Sequence, residues 1–145
     1  MTTVLAIATA LAAASAAPAA LSPADYRAKA NALCAAAKAQ VKAIAPKTRS
    51  QAALRRYLEG AVPIGSRLAA NLARLDPPAG VRAAHLRGIS IVRREVAVLA
   101  GAVKRIHGGT APLVAFNAIG AKEDRLSKAE DAAWRAAGLK VCAAP

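Results

Sequence analysis

The chain has 145 residues, of which 21 are lysine or arginine and only 8 are aspartate or glutamate, so its net charge at pH 7 is +13. A chain of this length fits one domain, and so strong a positive charge favours anionic partners. Alanine, the best helix former, is abundant, and no run of β-branched residues alternates with polar ones, which argues against a sheet. The composition therefore predicts an all-α protein.

Residues 1–20 have the pattern of a signal peptide. No charged side chain precedes Asp25, residues 4–14 are almost entirely apolar, and mostly small residues follow up to Ala20. Such a run predicts a cleaved secretion signal and an extracytoplasmic location, secreted or in the periplasm or cell envelope. Because no lysine or arginine precedes the run, two alternatives stay open: a misassigned start codon, or an uncleaved segment that anchors the protein N-terminally in a membrane.

The ends of the first two predicted helices are marked by serine, threonine and proline. Ser22, followed by proline and then by an aspartate in the first turn, is typical of a helix start, and Pro46 ends that helix. Thr48 or Ser50 begins a second helix, which ends before the two prolines at positions 77 and 78. A further proline within this helix predicts that it is kinked or broken near residues 59–63.

The third and fourth predicted helices follow the same logic. Apolar residues recur every three or four positions from Val81 to Ile106, which indicates one buried helix face, and Gly109 lies in the stop signal that follows. A fourth helix begins at Pro112 and ends at Gly138, where glycine followed by leucine predicts a left-handed exit with a hydrophobic contact.

Four amphipathic helices joined by short loops predict an up-down-up-down four-helix bundle, a single domain over residues 22–145. The first and last helices of such a bundle are neighbours, so the tail after Gly138 has to fold back along the first helix to bring Cys142 near Cys34. A lone cysteine pair in an exported protein predicts one structural disulfide. An intermolecular bridge and two free thiols are the alternatives.

Few residues suggest chemistry. His85 lies on the apolar stripe of the third helix, where a haem or metal ligand of a bundle core would lie, although a hydrogen-bonded core histidine is the simpler interpretation. Glu95 and Glu123 lack a second carboxylate or a histidine at a spacing typical of acid–base catalysis. We therefore predict no catalytic residues, no metal site, no cofactor and no enzyme activity.

The basic residues concentrate in the second and third predicted helices, and on the third helix they form two rows on the solvent side, one of them with bases spaced eleven residues apart. A merely solubilising surface usually mixes both charges, so these rows predict an anionic partner, either a membrane surface or a cell-wall polymer; nucleic acid is not expected for an exported protein. The alternative is that the bases only keep the protein soluble. The predicted surface consists of Arg55, Arg56, Arg82, Arg87, Arg93, Arg94, Lys104 and Arg105.

Four short segments are informative together: Leu-Cys-Ala at 33–35, the proline-containing stretch 57–63, Leu-Asp-Pro-Pro at 75–78 and Gly-Leu-Lys-Val-Cys at 138–142. On these segments the chain resembles small exported helical proteins of high-GC bacteria. The resemblance implies a helical fold and a disulfide, and it implies no activity.

The function predicted from the sequence is that of a secreted, non-catalytic protein of the cell envelope that binds or scaffolds through its basic surface. The alternative is a carrier that holds a small apolar molecule or haem in the bundle core near His85.

Overall fold

The structure is a computed structural model that describes residues 20–143. Nearly all of the predicted signal segment, residues 1–19, therefore lies outside the described residues. Within them there is no strand, which confirms the all-α prediction. No helix of residues 20–143 combines the length and the apolar character that a membrane span requires. The helices are α1 (Pro23–Ile44), α2 (Gln51–Ala73), α3 (Ala79–His107), α4 (Pro112–Asn117) and α5 (Gly120–Ala136).

The predicted helix ends have the expected hydrogen bonds. The Ser22 and Ser50 side chains each accept a backbone N–H from the first turn of the helix that follows, which is how serine stabilises a helix start. At the end of α5, Gly138 adopts a left-handed conformation with φ +73°, and the Leu139 N–H donates to the Trp134 carbonyl at 2.9 Å. This bond and the complete burial of Leu139 are those of a Schellman exit.

The structure corrects the prediction for α2. The helix runs unbroken from Gln51 to Ala73 with Pro63 in its interior, so the predicted break is wrong, while the predicted kink stays a prediction. Proline removes one helical hydrogen bond. However, Ala61 and Ile64 on either side of it are buried, and α2 packs against both α1 and α3. This packing supports the helix across the proline.

The fourth predicted helix is also corrected, because it is two helices. The chain leaves α4 after Asn117 and enters α5 at Gly120, two residue types with low helix propensity. The turn buries Ile119 beside Ile106 and Ala115, and α5 continues along α3 alone, whereas α4 contacts both α2 and α3. Burial of the turn therefore overrides the continuous helical pattern of the sequence.

The long helices pack in chain order. α1 packs against α2, α2 against α3 and α3 against α5, but α1 and α5 do not pack against each other along their length. This arrangement differs from the predicted bundle, in which the first and last helices were expected to be neighbours. A gap is left between α1 and α5, with α2 and α3 at its base.

The main core lies where α1, α3 and the end of α5 meet. Trp134 is fully buried there, and it lies directly over Gly88 of α3. The tail after α5 adds Leu139 and Cys142 to the same cluster. Tyr26 belongs to the same cluster, so α1 packs against the main core through this side chain.

The predicted disulfide between Cys34 and Cys142 is present, with Cα atoms 5.2 Å apart. The tail is held further by the Val141 N–H, which donates to the Asn31 side chain at 3.2 Å. The fold-back after Gly138 therefore occurs, and it attaches the tail to the middle of α1. A disulfide is compatible with an oxidising, extracytoplasmic compartment.

We expect removal of the disulfide to lower the free energy of unfolding by about 2–5 kcal/mol, because the two cysteines are 108 residues apart and the open unfolded chain gains much entropy. Urea unfolding of the protein and of the double variant C34A/C142A, each with and without dithiothreitol, measures the loss. Reductant should lower the stability of the parent only. Two free thiols in unreduced, natively prepared protein would contradict the assignment.

Two glycines of α3 form a matched pair that tests the Trp134 contact. A Cβ at Gly88 would overlap the Trp134 ring, whereas one at Gly101 meets nothing within 4 Å. G88A should therefore destabilise the protein by about 1–3 kcal/mol through overpacking, and G101A should stabilise it by about 0.5–1 kcal/mol, as alanine does in a helix. Thermal or urea unfolding of both variants checks this, and equal stabilities would disprove the close contact.

Candidate functional site

The gap between α1 and α5 forms a cavity of about 700 Å³. Its base is apolar and comes from α2 and α3, with Ile64, Leu68, Val92, Val96 and Leu99 among its residues. The disulfide of Cys34 and Cys142 lines it as well. A volume of this size lies within the range of small-molecule pockets, roughly 300–1,000 Å³, which are also mostly apolar with a few polar groups.

The polar groups of this cavity are mainly carboxylates. The whole chain has eight acidic residues in a protein of net charge +13, and five of them line this one cavity. Like charges that are not paired repel each other, so an even surface distribution would be electrostatically better. The five residues, which we call the acidic wall, are Glu95 of α3 and Glu123, Asp124, Glu130 and Asp131 of α5.

Glu95 is the most perturbed member of the acidic wall. Burial, followed by the charge of Glu130 and a hydrogen bond between the two side chains, raises the pKa of Glu95 to about 9. Glu95 therefore holds a proton at neutral pH and donates it to Glu130. Glu130 also accepts a 2.6 Å hydrogen bond from Trp134 Nε1, which fixes this carboxylate relative to the main core.

Glu123 supplies a buried oxygen with no partner. Its Oε1 is inaccessible to solvent and has no hydrogen bond among the described residues. Burial raises the pKa of Glu123, with a further contribution from Glu130. Burial also raises the pKa of Tyr57, and the charge of Glu123 raises it further. A buried unsatisfied acceptor is unfavourable, and a donor from a ligand would satisfy it.

Two lysines of α1, Lys38 and Lys42, lie on the opposite side of the cavity from α5. Lys42 is exposed and Lys38 is half-buried. The cavity thus has an apolar base, an acidic wall formed by α3 and α5, and a basic margin on α1. A molecule bound there meets carboxylates on one side and ammonium groups on the other.

His85 does not line this cavity. It is buried in the main core, where the Nε2 atom lies 3.1 Å from the Leu72 carbonyl and Nδ1 lies 3.0 Å from the Tyr26 hydroxyl. Because a carbonyl only accepts, Nε2 carries the hydrogen and Nδ1 accepts from the tyrosine. Burial lowers the pKa of His85, against the opposing effect of the Leu72 carbonyl. Both ring nitrogens are thus occupied within the protein, as in a hydrogen-bonded core histidine.

The eight bases of the predicted surface are all exposed. Arg55 and Arg56 are near the start of α2, while the other six are on α3. One of the six, Arg82, forms an ion pair with Asp76 at 2.8 Å. Among residues 20–143 no group of three or more His, Cys, Asp or Glu side chains is placed to hold a metal ion.

The sequence did not indicate the acidic wall. Glu95 and Glu123 were noted singly and were not connected, because they are 28 positions apart and come from different helices. Their shared feature is that each lies within an apolar helical pattern, where a carboxylate is unusual. This signal identifies each residue but not its partner.

Comparisons with protein-family models, with curated proteins and with solved structures find no match. Two features of the described residues suggest binding: the cavity and the exposed basic residues of α3.

The raised pKa of Glu95 predicts how stability depends on pH. Below about pH 4.5, the ordinary glutamate value, the carboxyl is protonated in both folded and unfolded chains. Between 4.5 and 9 only the unfolded chain ionises, so stability falls as the pH rises. Replacing Glu95 by glutamine removes this loss and keeps a donor for Glu130, so E95Q should be more stable than the parent at pH 8 by about 1 kcal/mol or more.

Urea unfolding at several values between pH 5 and 9 measures the effect. The half-exposed Glu59, which lies outside the acidic wall and pairs with His107, provides the control: above pH 7.5, E59Q should follow the slope of the parent. If E95Q also followed that slope, the carboxyl of Glu95 would be ionised in the folded protein.

Proposed function

We propose that this protein binds a small organic cation with an apolar body in the cavity between α1 and α5. The observation that carries the proposal is the concentration of five of the eight acidic residues at one apolar cavity of a basic protein. The cationic group would lie against the acidic wall, and the apolar body against the base formed by α2 and α3. This is a carrier or binding function, and not a catalytic one.

Electrostatics supports a cation as the ligand. Burial, with a further contribution from the neighbouring carboxylates, raises the pKa values of Glu95 and Glu123, so their ionised forms are disfavoured in the empty protein. A bound cation would favour the ionised forms, so binding near neutral pH would release protons. A ligand N–H donor would also satisfy the buried Oε1 of Glu123.

The apolar base supports an organic ligand over a bare ion. Hard cations such as Mg²⁺ and Ca²⁺ require several converging oxygen ligands, and among residues 20–143 no group of three or more His, Cys, Asp or Glu side chains is placed to hold a metal ion. Binding gains free energy when apolar surface of a ligand is buried against Ile64, Leu68 and Leu99, at roughly 25 cal/mol per Å². A protonated amine with a ring or a short alkyl group matches both sides of the cavity.

The proposed site of action is outside the cytoplasm. The signal-peptide pattern of residues 1–20 and the disulfide of Cys34 and Cys142 support it. The disulfide also lines the cavity, so an oxidising compartment would keep the tail beside the binding site.

Benzylammonium, whose N–H groups can donate to Glu123, is a suitable probe, and isothermal titration calorimetry at low salt measures its binding. We expect saturable binding with a Kd that E123Q weakens about tenfold, because an unpaired carboxylate near a cation contributes strongly in a partly buried site. E59Q removes the same charge outside the cavity and should leave the Kd within twofold.

The anion benzenesulfonate tests the sign of the site and should not bind there. Titration in buffers of different ionisation enthalpy should reveal release of protons on binding of the cation. Equal binding of both probes, or equal loss of affinity in E123Q and E59Q, would disprove the proposal.

A further inference from the structure

A second charged surface of the molecule is separate from the cavity. The solvent-facing side of α3, here called the outer face, presents six basic residues and no acidic residue. The only acid of α3 is Glu95, which lies on the opposite side and lines the cavity. The six bases are Arg82, Arg87, Arg93, Arg94, Lys104 and Arg105, and all are exposed.

The charges of the outer face are mostly not neutralised within the protein. Arg82 pairs with Asp76, and Arg94 contacts only the Ser90 hydroxyl and carbonyl. The remaining four bases have no hydrogen bond or ion pair among the described residues. A surface of one sign that is free of internal partners attracts a surface of the opposite sign.

The outer face also has an exposed leucine in its N-terminal part. Leu86 is 58% exposed, and it lies on the same line of the helix as Arg93 and Lys104, two and five turns further on. The other positions along this line and beside it are small, with Ala83, Ser90 and Ala97 exposed. Bases therefore flank one apolar side chain over a helix of 29 residues, about 44 Å at 1.5 Å per residue.

We propose that the outer face of α3 docks onto a bilayer surface rich in anionic lipids. The bases match the negative headgroups, and each basic residue near such a surface strengthens binding roughly fivefold. Leu86 favours a bilayer over a soluble polyanion, because a lipid surface offers an apolar layer just beneath the headgroups. The cavity lies on the other side of α3, so docking leaves it open to solvent.

Sedimentation with vesicles of 70% phosphatidylcholine and 30% phosphatidylglycerol tests the proposal at 50 mM and 300 mM NaCl. The protein should bind at low salt, bind far less at high salt, and not bind to pure phosphatidylcholine. R87Q/R94Q should weaken binding about tenfold or more. The control R49Q/R125Q removes the same charge from exposed arginines outside α3 and should weaken it threefold or less.

A second matched pair tests the bilayer itself. Val114 of α4 has nearly the same exposed fraction as Leu86, at 60%, so L86S and V114S each remove one exposed aliphatic side chain at different places. L86S should weaken vesicle binding about threefold or more, and V114S should leave it unchanged. Equal binding by these two variants would overturn the lipid assignment and favour an anionic wall polymer. Equal effects of the two arginine pairs would overturn the outer face as the docking surface.

Discussion

The attachment of the C-terminal tail to α1 is the constraint on which the cavity depends. α1 and α5 do not pack against each other along their length, so no continuous helix interface fixes the width of the gap between them. The bond between Cys34 and Cys142 supplies a covalent link across it, and Leu139 and the Asn31 contact hold the tail in place. One end of the gap is therefore fixed, while the stretch between the acidic wall and α1 stays open.

The core and the acidic wall are connected through one side chain. Trp134 is fixed by its close contact with Gly88, and its indole N–H holds Glu130. Glu130 in turn accepts the proton of Glu95. The position of the carboxylates is thus determined by packing in the main core and not by loops, which is a requirement for a binding site of defined geometry.

Local features of this fold could be predicted from the sequence, whereas features that combine distant segments could not. Ser22, Ser50 and Gly138 mark helix ends because capping depends on a few adjacent residues. The turn before Gly120 could not be predicted, because the burial of Ile119 against another helix determines where the helix is interrupted. The acidic wall could not be predicted for the same reason: Glu95 and Glu130 meet only once α3 and α5 are side by side.

The two proposed binding surfaces share one helix, and their charges are arranged by the phase of that helix. Glu95 follows Arg94 directly in the sequence, yet a rotation of about 100° per residue sends one side chain toward the cavity and the other toward solvent. Because the bases are exposed, water screens their repulsion, whereas burial, with a further contribution from neighbouring carboxylates, raises the pKa values of Glu95 and Glu123. The acidic side is therefore the one where binding of an opposite charge stabilises the protein most, although acidic residues are the minority among its charged residues.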